Sequence, residues 1–298
     1  MSKEIKRVVG IGELLWDIFP SGLRLGGAPL NFCYHCRQLG AEAYPVSAVG
    51  GDEFGVEIRE VIGSRQLTDR FVAEDATRPT GAVQVELDDC GKPKYKIKEQ
   101  VAWDYIPMSG NLKTLAQTTD ALCFGSLAQR NGVSRKTILT FVRATPTDAL
   151  KIFDVNLRQT FFSKEIIEES LRLSNVLKLS DEELPLVAGM FGISGPVQAQ
   201  LHGLLERFDL QLIAYTRGAD GSLLVTPDES DDHPGCPGEA INSVGAGDAF
   251  TATLCMGLLS CRPLNEINEY ANRVASFVCR QDSATPELTD NLNEAHYA

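Results

Sequence analysis

Apolar positions in this chain follow two alternating rhythms. Short apolar runs occur at Val8-Val9-Gly10-Ile11-Gly12, at Tyr44 to Val49, at Asp120 to Gly125, at Leu150 to Asp154 and at Leu210 to Tyr215. Each ends in a glycine, polar or charged turn, which predicts buried strands. Between them, apolar residues at helical spacing predict helices over 30–39, 52–63, 132–143, 164–173 and 196–207, and two more over 246–260 and 264–280 close the chain. Strands alternating with helices imply an α/β domain, a mostly parallel sheet covered on both faces. Residues 80–105 break the rhythm. Thr80 to Leu87 alternates apolar and polar, Asp88-Asp89-Cys90-Gly91-Lys92 reads as a turn, and Tyr95-Lys96-Ile97-Lys98 alternates again. That pattern predicts a hairpin with one wet face.

Two glycine clusters carry the chemistry. Asn242-Ser243-Val244-Gly245-Ala246-Gly247-Asp248 runs into the helix expected from 246. Bare amides at a helix N-terminus are an anion site, and a first-turn Asp points its carboxylate into the same space. Amides that hold a phosphate beside a proton-accepting carboxylate suit phosphoryl transfer to a hydroxyl. The plainer reading of Asp248 is a helix cap. The second cluster, Leu25-Gly26-Gly27-Ala28-Pro29-Leu30-Asn31, lets backbone pass close to a ligand, and Asn31 offers both a donor and an acceptor. Gly50-Gly51-Asp52-Glu53-Phe54-Gly55 follows soon after.

The two clusters together resemble the paired signatures of the PfkB-type carbohydrate kinases, the ribokinase-like superfamily, over nearly the whole chain from Gly10 to about Pro286. Gly12-Glu13-Leu14-Leu15-Trp16-Asp17, Asp154-Val155-Asn156-Leu157-Arg158 and Leu177 to Glu183 are most similar to bacterial fructokinases. The resemblance implies a three-layer α/β/α domain over 1–298, with residues 80–105 and part of 14–25 forming a small β lid over the sugar. It implies Asp248 as general base, with the amides of Gly245, Ala246 and Gly247 stabilising the transferred phosphoryl. It puts Asp17, Gly27 and Asn31 on the sugar, and Asn156 and Arg158 on the sugar or the phosphates. Thr216, Gly218 and Gly221 look like the nucleotide loop, and Asn272 joins that side. Glu183 stands where the family carries an acid that orders Mg²⁺, often through water. Glu13 is set aside as a backbone-bonding acid.

The implied reaction is ATP-dependent phosphorylation of a primary hydroxyl on a small sugar, fructose first. A 2-keto-3-deoxygluconate kinase is the second reading; Lys96 and Lys98 could meet its carboxylate, but Glu99 and Asp104 work against an anion. An inactive sugar-binding regulator would show a damaged Gly-x-Gly-Asp motif, and this one is intact. Four departures from the family pattern stand out. Asn242 replaces the usual Asp that helps bind potassium, so activation by a monovalent cation is not expected. Ser180 replaces the usual Asn near Glu183, Cys33 replaces a smaller residue, and Ser283-Ala284 replaces Gly-Ala near the adenine. No Walker A loop is present; the only Gly-Lys, Gly91-Lys92, lies in the hairpin.

Charge and cysteine usage narrow the partners. A net charge of −12 argues against nucleic acid or an anionic membrane, so cations for a polyanion must be local. No stretch approaches a membrane span and no leader pattern opens the chain, which predicts a cytoplasmic protein with reduced thiols. Cys33 and Cys36 form C-x-x-C inside a predicted helix without a second pair at metal spacing, and read as packing thiols. Exposed lid hairpins in the resembled family pair into homodimers, so that contact is an expectation here.

Overall fold

The computed structural model describes residues 5–19, 22–87, 93–238, 240–289 and 292. The strands are β1 (Arg7–Ile11), β2 (Leu15–Phe19), β3 (Gly22–Gly26), β4 (Glu42–Gly50), β5 (Val72–Asp75), β6 (Gly81–Leu87), β7 (Pro93–Ile97), β8 (Ala121–Gly125), β9 (Leu150–Asp154), β10 (Val176–Ser180), β11 (Leu212–Thr216), β12 (Ser222–Val225) and β13 (Ser230–His233). The helices are α1 (Ala28–Gln38), α2 (Glu53–Ser64), α3 (Gly110–Ala116), α4 (Gly132–Ala144), α5 (Lys164–Leu173), α6 (Leu184–Met190), α7 (Val197–Phe208), α8 (Ala246–Leu259) and α9 (Leu264–Cys279).

Nine strands form one sheet in the order β13-β12-β11-β10-β9-β8-β1-β4-β5. It is parallel from β11 to β5, with β12 and β13 antiparallel at one edge. Two apolar clusters fill the space on its faces. One includes Phe32 of α1 and Phe250, Leu254, Tyr270 and Val274 of α8 and α9. The other includes Ile138, Phe141, Ile167, Leu201 and Leu205 of α4, α5 and α7. A parallel sheet with such cover on both faces has near-continuous apolar strands, which is why the sequence rhythm was readable. The C-terminal ends of the parallel strands lead into Glu13, Asn156, Glu183 and Arg217, the edge where α/β sheets bind ligands.

Helix starts differ between scaffold and candidate site in their use of glycine. Asp52, Asn131 and Ser163 cap α2, α4 and α5 through side-chain oxygens. In contrast, α1 and α8 begin on Gly27 (φ 119°) and Gly245 (φ 82°), with no side-chain cap. A Cβ on Gly245 would lie 2.5 Å from the Ala284 carbonyl oxygen, and one on Gly27 2.5 Å from that of Glu13. Both positions therefore need glycine on conformational and steric grounds.

A separate four-stranded sheet, β3-β2-β6-β7, is the expected lid. The hairpin of β6 and β7 is antiparallel as the alternation predicted, and its turn, Asp88 to Lys92, lies outside the described residues. The chain returns from the lid through a buried anchor. Arg130 grips Asp104 with two bonds, Nε–Oδ1 at 2.8 Å and Nη2–Oδ2 at 2.9 Å, and stacks 4.0 Å from the Trp103 ring centre.

Candidate active site

Asp248 sits in the first turn of α8, and Asn31 sits in the first turn of α1. These two glycine-started helices meet: Asn31 Nδ2 donates to Asp248 Oδ2 at 2.8 Å. Asn31 is buried, and its Oδ1 has no hydrogen-bond partner. An amide oxygen left without a donor inside a protein costs free energy unless a ligand or water supplies one. Here it lies beside the carboxylate that the sequence singles out.

Glu13, Pro29, Phe32, Cys123, Asp154, Asn156, Asp248 and Thr251 line one pocket. Burial raises Asp248 to about 6; the Asn31 bond, Lys178 and Arg158 oppose that rise, and Asp154 adds to it. Asp17, on β2 of the lid, is raised to about 6 by burial, with Arg158 opposing. Its carboxylate leans over Gly26: a Cβ there would lie 2.6 Å from Asp17 Oδ2. Arg158 donates to the Leu157 carbonyl oxygen at 3.1 Å, and its charge acts on Glu13, Asp17 and Asp248 together. Asn156 adopts φ 44° and lines the pocket. The expected sugar-side residues thus converge.

Ala246 N closes a turn on the Ser243 carbonyl oxygen at 3.3 Å, and Val244 N bonds Asn242 Oδ1 at 3.0 Å. Asn242 therefore holds the turn before Gly245 as an Asx motif. Glu183 follows β10, and its two oxygens accept the Leu157 amide at 2.7 Å and the Ser180 amide at 2.8 Å. Those bonds fix the carboxylate at the sheet edge and leave lone pairs on both oxygens.

The residues expected on the nucleotide lie around the ends of β11 and β12 and on α9. Thr216 ends β11, and its hydroxyl reaches the Leu179 carbonyl at 3.4 Å. Gly218 (φ 57°) faces open space, whereas a Cβ on Gly221 would meet the His233 carbonyl at 2.1 Å. Gly221 therefore has a packing reason for its identity. Asn272 is buried, with its amide nitrogen spent on Ser222 Oγ at 2.7 Å and on the Asn268 carbonyl at 2.8 Å.

Sequence reasoning passed over three groups and set a fourth aside. Glu13 is only 5% exposed, and burial raises it to about 7 against its own and the Ala28 amide. Its backbone bonding was expected; its place in the pocket was not. Asp154, Lys178 and Thr251 form a polar knot under Asp248, with Lys178 Nζ 3.1 Å from Asp154 Oδ1 and Thr251 Oγ1 3.2 Å from Asp154 Oδ2. The available signal was Lys178 between Leu177 and Leu179, a charge inside a buried strand.

The family model described as pfkB family carbohydrate kinase matches residues 21–291, and the chain belongs to that family of ATP-dependent enzymes. Among its relatives, the uncharacterized sugar kinase PH1459 of Pyrococcus horikoshii is 27% identical over 96% of this chain and 94% of its own. Fructokinase of Klebsiella pneumoniae is 28% identical over 83% of each chain. The structure of PH1459 in complex with ATP superposes with a TM-score of 0.77 at 26% identity, covering 94% of each chain. The Xylella fastidiosa fructokinase with bound ATP shares the fold at a TM-score of 0.84 and 19% identity, covering 95% of this chain and 94% of that one. The protein is thus a sugar kinase with a ribokinase-like fold.

Proposed function

We propose that this kinase transfers the γ-phosphoryl group of ATP to a primary hydroxyl of a small neutral sugar, fructose being the leading substrate. The unpartnered Asn31 Oδ1 beside Asp248 carries the reading: a neighbouring sugar hydroxyl supplies the missing donor, and that contact sets the primary hydroxyl, with its own proton free, against the base. Asp248, held near 6 by burial, is ionised at neutral pH yet basic enough to take that hydroxyl's proton as the oxygen attacks phosphorus. The amides of Gly245 and Gly247 face the transferred oxygens, joined by that of Ala246 when it leaves the Ser243 carbonyl. Asp17, Gly27, Asn156 and Arg158 hold the sugar, and lid closure excludes water as a rival acceptor.

Thr216, Gly218, Gly221 and Asn272 shape the nucleotide side. Among the described residues no cluster of three or more His, Cys, Asp or Glu could hold a metal ion. Mg²⁺ suits such a site, since it keeps several waters and binds through substrate phosphates with one or two carboxylates. Glu183 would touch it through water, and the ion would neutralise phosphate charge. Among the described residues no helix is long and apolar enough to cross a membrane. Cytoplasmic residence and lid-mediated dimers belong to the same proposal.

Fructokinase relatives support fructose, as does the acid-rich sugar side, where Glu13, Asp17 and Asp248 face one arginine. An ADP-release assay across fructose, ribose, 2-keto-3-deoxygluconate and nucleosides tests it. Fructose is expected to give the highest kcat/KM; a keto-acid substrate in first place would overturn the sugar assignment, and no turnover with any of them would favour the binding regulator.

A further inference from the structure

Among the described residues Lys178, in the middle of β10, is the one buried lysine, at 8% exposure, and its partner Asp154 is 4% exposed. The pair does more than fill space. A Cβ on Gly247 would lie 3.3 Å from Lys178 Nζ, so the ammonium stands against the turn that carries Gly247 and Asp248. Asp154 uses one oxygen on Lys178, at 3.1 Å, and the other on Thr251 Oγ1, at 3.2 Å. Thr251 in turn bonds the Gly247 carbonyl oxygen at 2.9 Å. The carboxylate thus ties a β10 cation and the first turn of α8 to the end of β9.

We propose that Lys178, aimed by Asp154, is a permanent cation behind the turn that contacts the transferred phosphoryl, and that both are positioning residues for its transfer to the sugar hydroxyl beside Asp248. A buried apolar pair of similar volume would fill the same space, so an ionic pair needs another reason to stand there. The reason is its location: a fixed charge in a site of low dielectric acts on developing phosphoryl charge without reorganising. Burial alone would lower Lys178, but Asp154 and Glu183 outweigh it and hold the ammonium above its usual range. The charge is therefore always on. The groups that face Asp248 are Asn31 from α1, Glu13 after β1, Cys123 on β8, Asp154 on β9, Arg158 after it and Lys178 on β10. Lys178 and Arg158 are the cations among them.

The inference rests on the reading of Asp248 as the base, and the experiment separates the two. Removing one partner would leave a buried charge unpaired and damage the fold. The informative variant is therefore Asp154→Asn/Lys178→Met, neutral at both positions; Asp154→Asn/Lys178→Gln serves if the first does not fold. The expected result is a near-native Tm and sugar Kd, kcat reduced at least about tenfold, and weaker assembly of the ADP–aluminium tetrafluoride–sugar complex with ADP affinity retained. Lys178→Arg, which keeps the charge, is expected to retain more activity than either neutral pair. A folded double variant with kcat within about threefold of wild type would overturn the proposal. So would failure of both double variants to fold, which would assign the pair to the core alone. Asp248→Asn is assayed beside them: if it stays active, the base assignment itself fails, whatever the pair does.

Discussion

Asn31 and Asp248, 217 residues apart in the chain, are joined by a 2.8 Å hydrogen bond between two helix N-termini that no side chain caps. The bond fixes the direction of the carboxylate and lowers its affinity for a proton, against the larger rise from burial. An N–H donor stabilises the ionised form, so its loss must raise the pKa. Asn31→Leu is expected to move the acid limb of the kcat profile to higher pH and to raise the KM for sugar. An unmoved limb would mean that the contact does not persist in the working enzyme.

The pH profile of the unmodified enzyme follows from the same group. Asp248 sits near 6, so it is ionised above that pH and protonated below it. A base must be unprotonated to act, and kcat should fall about tenfold per pH unit once the medium is well below 6. Activity that persists undiminished at pH 4.5 would contradict the assignment.

Glu13 offers a stability test. Burial lifts its carboxyl from 4.5 to about 7, so the folded state holds this proton more tightly than the unfolded chain. The associated stability is fully present below about pH 4.5 and is lost as pH rises through 7. The full swing is on the order of 3 kcal/mol. Glu13→Gln removes the titration but keeps the shape. Its Tm should decline less than wild type's between pH 5 and pH 8, and parallel Tm curves would rule the shift out.

Much of this fold was legible because its parallel strands are buried on both faces and its helices keep a 3.6-residue rhythm. The lid hairpin was legible because Thr80 to Leu87 alternates instead. Less visible were β5, β10, β12 and β13. Of these, β5 and β13 are four-residue edge strands, and Ser230–His233 carries no apolar residue at all, so a neighbouring strand sets their identity. The other two are apolar but short, and Lys178 interrupts the run in β10. At the candidate site, Gly245, Gly247 and Asp248 stood out because small residues leading into a helix-start carboxylate form a recognisable pattern. Asp154 and Lys178 did not, since pairing between two strands has no sequence spacing to betray it.

Asn242 bears on cation use. Its Oδ1 already accepts the Val244 amide at 3.0 Å, so it holds the turn and brings no charge to a potassium ion. Rates in potassium and in a bulky organic cation at fixed ionic strength should be similar. Asn242→Asp keeps the turn, because a carboxylate accepts the same bond, and should create or strengthen potassium activation. Strong potassium dependence in the unmodified enzyme would instead make carbonyl oxygens sufficient.

Lys96 and Lys98 test the charge of the substrate. Both are exposed on the lid, and a neutral sugar asks nothing of their ammonium groups. Lys96→Ala and Lys98→Ala should each shift KM only slightly. A carboxylate held by either would lose roughly 1–3 kcal/mol of binding, visible as a large KM rise.

The central claim is that Asp248 takes the proton from the attacking hydroxyl. Asp248→Asn keeps the shape of the side chain, can still meet Asn31, and cannot accept that proton. With fructose and ATP, the account predicts kcat at least about a hundredfold lower and ATP affinity nearly unchanged. Near-normal turnover by the Asp248→Asn enzyme would contradict it.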